Sequence, residues 1–197
     1  MLDKFLLFLL NAEAGVKIKS HDEIPLLVFE KARKTGWSDD PRDLGGATMC
    51  GITLKTFSAW CIANKLPLPT KDILRAITFQ TWKAVVQDLF WLPYHADKII
   101  TPQIAYIITD WIWASGPAVI KHVQRLVGVA PDGIVGPHTI RAINSADQQR
   151  LFFDIKQRRI QFINDICAAR SANNVFRKGW INRLNRIIWN PPYLKFQ

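Results

Sequence analysis

Helix-start and helix-stop signals punctuate this chain at short intervals, and they restrict it to a fold built almost wholly from helices. Ser20 and Glu23 form a capping-box pattern with Pro25 just inside it, predicting a helix to about Lys34. Thr53 opens a second predicted helix to about Asn64, closed by Pro67 and Pro69. Thr78 opens another, with Phe79, Trp82, Val85, Val86, Leu89 and Phe90 at helical spacing. Thr101-Pro102 starts an apolar helix through Ser115, and Gly116-Pro117 breaks it and starts one that stops near Gly128. Gly136-Pro137 begins a short helix ending near Asn144. About Asp147 to Arg170 reads as a long amphipathic helix, and Asn174 begins the last, to about Ile188. The expected class is therefore all-α, mainly helical, with any sheet confined to a hairpin near residues 36–53.

Size and charge narrow the function classes. The chain has 197 residues, 49% of them apolar, and such a length buries roughly 70% of its unfolded surface. Its longest clean apolar run, Phe5 to Leu10, falls short of the roughly 18 residues of a membrane span, so no span is expected. The net charge is +10, and residues 101–197 carry 13 Lys and Arg against 5 Asp. A basic half of this kind calls for an anionic partner: nucleic acid, an acidic membrane or an anionic wall polymer. The basic residues are spread over several helices and not gathered on one recognition helix, so nucleic acid is not expected.

Cys50, Cys61 and Cys167 fit neither a disulfide scaffold nor a zinc site, and read as buried thiols; no metal and no organic cofactor are expected. Met1 to Ala14 imitates a secretory signal, with Lys4 and the tripeptide Ala12-Glu13-Ala14. Asp3 cancels Lys4, and the apolar core is shorter than the roughly 7 to 15 residues of a signal. Residues 2–13 are therefore read as a buried helix of the mature protein, with no recognisable export signal.

The most informative stretch runs from Asp39 to Thr53 and holds Asp39, Asp40, Asp43, Gly45, Gly46, Gly51, Thr48 and Thr53. Adjacent glycines let backbone pass close to a ligand; by composition alone a solvated surface turn is an equal reading. The stretch resembles the D-x-x-D-x-G-G-x-T-x-x-G-[IV]-T signature of glycoside hydrolase family 108, the lysozyme-like muramidases of bacteria and phages, some labelled secretion-activating proteins. The resemblance implies a two-lobed lysozyme-like fold and hydrolysis of the β-1,4 bond between N-acetylmuramic acid and N-acetylglucosamine. It also implies a catalytic Glu in an E-G-G-[YF] motif at the end of the helix before the loop.

Counting back from Trp37 and Asp40 by the family spacing lands on Lys34, and a lysine ammonium is too weak an acid to protonate a glycosidic oxygen. Glu30 lies one turn earlier without a glycine pair. Glu13 follows the apolar helix and is trailed by Ala14-Gly15-Val16, a variant of the motif, with residues 17–37 then an inserted helical excursion. A carboxyl at the end of a buried apolar helix meets the negative end of the macrodipole, where the protonated form that a glycosidase uses is favoured. Glu13 is the assigned acid, with Glu30 the alternative; Asp43 and Thr48 complete the expected site, and Asp39 and Asp40 read as turn-formers. Inversion is expected, with a water between the Glu13 and Asp43 carboxyls. Gly45 and Gly46 are read as substrate contacts.

Later segments extend the resemblance. Asp110-Trp111-Ile112-Trp113-Ala114-Ser115-Gly116 is similar to the family's D-W-x-[WY]-x-S-G, which makes Asp110, Trp111 and Trp113 candidates for contact with sugar, core packing being the default for the tryptophans and a buried helix-pairing acid an equal reading of Asp110. Gln124 to Gly128, Asp132-Gly133, Gly136-Pro137 and Thr139 resemble the pattern of predicted peptidoglycan-binding domains, and Phe176 to Leu184 the family's terminal F-x-x-G-W-x-N-R segment. The expected organisation is a catalytic lobe over 1–115 and a wall-binding helical lobe over 116–197, packed as one compact monomer with peptidoglycan as its partner. Such a chain, made in the cytoplasm, would act on the periplasmic or extracellular wall. A wall-binding or secretion-accessory protein without turnover is the alternative.

Overall fold

The computed structural model describes residues 1–40 and 45–196. Contacts divide the chain into a first unit, Met1–Leu89 with Phe196, and a second, Phe90–Lys195. The first unit holds α1 (Leu2–Ala14), α2 (Pro25–Ala32), three two-residue strands β1 (Trp37–Ser38), β2 (Thr48–Met49) and β3 (Ile52–Thr53), then α3 (Leu54–Ala63), α4 (Lys71–Arg75) and α5 (Phe79–Val86). The second holds α6 (Pro102–Ser115), α7 (Ile120–Leu126), α8 (Pro137–Ser145), α9 (Gln148–Ala169) and α10 (Asn174–Asn185). Ten α-helices and one small sheet among the described residues make the protein mainly helical, as the cap and proline signals predict.

α1 is buried nearly all round: every side chain from Phe5 to Leu10 is at most 1% exposed, the pattern of a helix inside a core. Gly15, at φ 64°, closes it in the left-handed conformation that glycine adopts without cost. Thus the glycine of the Ala14-Gly15 pair is a helix terminator. α2 packs on α1 and α5, with Phe29 against Phe79 and Trp82 at ring distances of 5.7 and 5.5 Å. The predicted capping box does not start α2. The Ser20 hydroxyl accepts from Asp22 N–H and the Glu23 carboxylate accepts from Lys19 and Ser20 N–H, which makes a turn ahead of the helix. Pro25 sets the true start, because the residue before a proline is pushed out of the helical region, and Ile24 is extended at ψ 118°. Thr53 and Thr78 cap α3 and α5 as expected, accepting from Thr56 and Thr81 N–H. The one-turn α4, capped by Thr70, is too short to show a period in sequence.

In the second unit α6 is the central element, buried from Gln103 through Ile112. It packs on α9, which also meets α7, α8 and α10; this is why α6 belongs by contact with the helices that follow it. Between α7 and α8 the Gln124 side chain holds the turn: its amide donates to Asp132 Oδ1 (2.7 Å) and Ile134 O (3.1 Å), and its oxygen accepts from Gly133 N–H (2.8 Å). Gly133 stands at φ 87°. The Gln124 to Thr139 motif is thus the hydrogen-bond set of a tight helix–turn–helix connection.

Candidate active site

In the first unit the ends of α1 and α2 converge on the small sheet. β1 pairs with β2 (Trp37 with Met49, Ser38 with Thr48) and β2 with β3 (Thr48 with Thr53, Met49 with Ile52), all antiparallel. Cys50 and Gly51 join β2 to β3 at φ 46° and 82°, two successive positive values as in the turns that suit twisted hairpins. The turn is pinned twice: Cys50 N–H donates to Gly36 O (2.8 Å), and the buried Trp82 indole donates to Cys50 O (3.1 Å). Thr35 Oγ1 donates to Ala14 O (3.0 Å), so the excursion that carries α2 leaves the end of α1 and returns to it at one place.

Gly36 is the residue that permits this convergence. A Cβ there would lie 2.6 Å from Cys50 Sγ, 2.9 Å from Ala32 O and 3.2 Å from Ala14 Cβ. Space, and not a left-handed backbone, demands the glycine. Sequence reasoning passed over it, although its place directly before Trp37 was the available signal.

Glu13 lies in the last turn of α1, half-buried. Burial pushes the Cys50 thiol up to about 12, with the Glu13 charge adding to the rise and Arg33 opposing it; Glu13 therefore stands within electrostatic reach of the hairpin turn. Thr48, two residues before Cys50, is half-buried on β2 and its hydroxyl donates to Gly46 O (3.0 Å). Gly46 has φ 69° and Gly45 is exposed. Asp43 lies outside the described residues. Asp39 is an ion-pair partner, both its oxygens 3.0 Å from Lys71 Nζ.

Lys34 and Glu30 face a different feature. They line an open groove of about 470 Å³ with Arg33, Asp72, Arg75 and Ala76. Glu30 pairs with Arg33 at 3.5 Å, and the Arg75 guanidinium lies 5.6 Å from the Trp37 ring centre, close enough for cation–π attraction. The groove is of mixed charge and too open to desolvate a reacting acid.

Two of the three second-half candidates, Asp110 and Trp111, are placed otherwise than a sugar contact requires. Asp110 and Trp111 are 0% exposed, so neither reaches a sugar. The Asp110 carboxylate takes Arg183 Nε and Nη2 (2.9 and 2.7 Å) and Arg159 Nη2 (2.9 Å). Burial alone would push its carboxyl up, but the two guanidiniums, Arg183 foremost, reverse this and hold it below the usual carboxylate range. Trp111 stacks on His122, 5.5 Å apart and 7° from parallel. Trp113 is half-buried against Phe90 at 4.7 Å. The arginine partners of Asp110, 49 and 73 residues away in sequence, carry no local signal.

Residues 31–116 match the family described as glycosyl hydrolase 108, and residues 118–185 match the predicted peptidoglycan domain. Lys34 falls inside the first match and Glu13 outside it. The solved structure of SagA from Brucella abortus is similar over 80% of this chain and 90% of that one, with a TM-score of 0.66 and 28% sequence identity. No curated protein sequence matches.

Proposed function

We propose, from the match of residues 31–116 to glycosyl hydrolase 108 and of residues 118–185 to the predicted peptidoglycan domain, that the protein is an N-acetylmuramidase. The two matches make its function peptidoglycan-related and lysozyme-like, with the cell wall as its place of action. No helix among the described residues is long and apolar enough to cross a membrane. In the finer reading it hydrolyses the β-1,4 bond between N-acetylmuramic acid and N-acetylglucosamine. Residues 1–115 carry the chemistry and 116–197 hold the wall. Glu13 donates a proton to the glycosidic oxygen; Asp43 and Thr48 position the attacking water, which inverts the anomeric centre. Gly45 and Gly46 let the backbone approach the sugar.

One observation carries the assignment of Glu13: the contacts of Ala14 with Thr35 and Gly36 place the last turn of α1 beside the sheet that bears Thr48. A second reading, wall binding without turnover, is favoured by Lys34, which stands inside the matched stretch where the family spacing expects a glutamate.

Wild type, Glu13→Gln and Lys34→Glu, incubated with purified peptidoglycan and followed by mass spectrometry of the released fragments, separate these readings. Fragments with muramic-acid reducing ends from wild type, reduced about 10²–10⁴-fold in Glu13→Gln, support turnover through Glu13. Equal release from those two proteins overturns Glu13. Silence from wild type, with release gained in Lys34→Glu, assigns the second reading.

A further inference from the structure

Three basic side chains line one cavity in the second unit, and among the described residues no carboxylate joins them. The cavity, of about 190 Å³, is lined by His95, Lys98, Pro137, Ile140 and Arg141. Neither Lys98 nor Arg141 forms an ion pair among the described residues, and Asp97, the neighbour of Lys98 in sequence, is exposed and outside the lining. The Arg141 guanidinium donates through Nη2 to His138 Nδ1 at 3.1 Å, which orients it and leaves its other N–H groups for an acceptor. Like charges gathered without a counter-ion repel one another, and an anion placed between them removes that repulsion.

The walls are fixed before anything enters. Pro137, Ile140 and Arg141 stand at positions i, i+3 and i+4 of α8 and share one face of its first turn. The other wall belongs to the segment 92–100, which Asn144 fastens to the same helix: its amide donates to Lys98 O (2.9 Å) and its oxygen accepts from Ile100 N–H (3.1 Å). His95 occupies the left-handed region at φ 48° and ψ 39°. Its N–H donates to Leu92 O (3.0 Å) and its carbonyl accepts from Lys98 N–H (2.8 Å). Glycine would hold this backbone without cost, so a side chain kept there points to a role for the ring itself. Fixed walls favour binding, because a pre-organised site loses little entropy when its ligand arrives. The helix adds to the field: Gly136, its N-cap, has no side chain to satisfy the first-turn N–H groups, and the positive end of the dipole lies beside the cavity.

Size and donor chemistry select the ligand. The volume is several times a water molecule's share of liquid, about 30 Å³, which admits one small oxyanion with a short ester stub. Guanidinium, ammonium and imidazole stand on two walls beside apolar Pro137 and Ile140. Donors from two sides suit a tetrahedral anion better than a planar carboxylate, which one guanidinium fork satisfies alone. We propose that this cavity between α8 and the segment 92–100 is a phosphoryl-binding site, with Arg141 and Lys98 as its charged contacts and the His95 ring as a further donor. The ligand is a phosphate group, carried on a monoester or within a phosphodiester chain. The site uses none of the residues assigned to hydrolysis, so its test and the peptidoglycan assay fail independently.

The test uses the full chain at one pH and at constant ionic strength set with chloride. Inorganic phosphate, glycerol 3-phosphate, dimethyl phosphate and acetate are titrated in turn, with binding followed by the imidazole resonances of the four histidines, that of His95 identified with His95→Gln. Phosphate is expected to shift His95 saturably and to leave His21 and His122 in place, with acetate at least tenfold weaker. Dimethyl phosphate as tight as glycerol 3-phosphate identifies a diester chain as the source, and a tighter glycerol 3-phosphate identifies a monoester. Lys98→Met with Arg141→Met, both at exposed positions, is expected to reduce phosphate binding at least tenfold with an unchanged circular dichroism spectrum. Arg150→Met with Lys178→Met removes the same charge from exposed positions elsewhere and is expected to bind as wild type does. No saturable His95 shift at tens of millimolar phosphate, acetate as tight as phosphate, or an equal loss in the two double variants overturns the site. If Lys98→Met with Arg141→Met does not fold, the phosphate-against-acetate comparison on wild type decides alone.

Discussion

Replacing Gly36 by alanine adds one methyl group where α1, α2 and the sheet meet, and its effect follows from three distances. Gly36 does not occupy the left-handed region, so the backbone tolerates alanine and the cost is steric. Carbon atoms are at their optimum roughly 3.5–4.0 Å apart, whereas the new Cβ would meet Cys50 Sγ at 2.6 Å and Ala32 O at 2.9 Å. Neither neighbour yields easily. Cys50 is wholly buried and tied through its N–H to Gly36 O, and Ala32 O already accepts Gly36 N–H at 2.8 Å. Overpacking of this kind costs about 1–3 kcal/mol, and the lower entropy of the unfolded alanine chain returns about 0.4–1 kcal/mol. The expected net loss is therefore about 1–2 kcal/mol, read as a lower urea midpoint at unchanged slope. The sulfur is the worst clash, so in a Cys50→Ala background the same substitution should cost about 1 kcal/mol less. A neutral or stabilising Gly36→Ala refutes the steric argument; an equal cost in both backgrounds refutes the part assigned to sulfur.

Other consequences are as direct. Asp110→Asn keeps shape but removes the carboxylate that both guanidiniums share, and about 3–5 kcal/mol of stability should be lost, against less than about 0.5 kcal/mol for Asp154→Asn in the exposed pair with Arg150; similar losses would deny the buried cluster its role. Because the folded-state value of Asp110 lies below its unfolded one, its contribution is complete above the ordinary carboxylate range and disappears as pH falls through the depressed value. The acid limb of an unfolding titration should accordingly be shallower in Asp110→Asn, and an unchanged limb would contradict this. All three thiols are buried, and Cys50 is pushed up to about 12. A thiol-disulfide reagent at pH 8 should stay silent on native protein and find all three after denaturation, whereas one prompt equivalent would contradict the burial.

Most of the helical frame was legible because its signals are local. Thr53, Thr78 and the prolines at 102, 117 and 137 act within one turn of themselves, and the structure starts helices beside each. The capping box at Ser20 and Glu23 misled because the same side chains close a free-standing turn when a proline two residues on sets the helix start. The candidate site was legible only in part. Its hairpin could be read from glycines and threonines within 15 residues, but Gly36 matters through atoms of Ala14 and Cys50, which no periodicity reports. Asp110 shows the same limit: a D-W-x-W segment resembles a sugar-binding surface until Arg159 and Arg183 are seen to claim the carboxylate.

The basic half of the chain can now be divided by physical role. Of its 13 Lys and Arg, Arg159 and Arg183 are held by the buried carboxylate of Asp110. The other eleven exceed the remaining four acids by seven, and side chains such as Arg150, Arg170, Arg177 and Lys178 lie exposed on α9, α10 and the link between them. Exposed charges of this sort act over about one Debye length, roughly 8–10 Å at physiological salt, and carry no preference among anionic polymers. Attachment to an anionic wall should therefore rest on these surface charges and weaken as salt rises; co-sedimentation with purified wall that stays the same at high salt would contradict this.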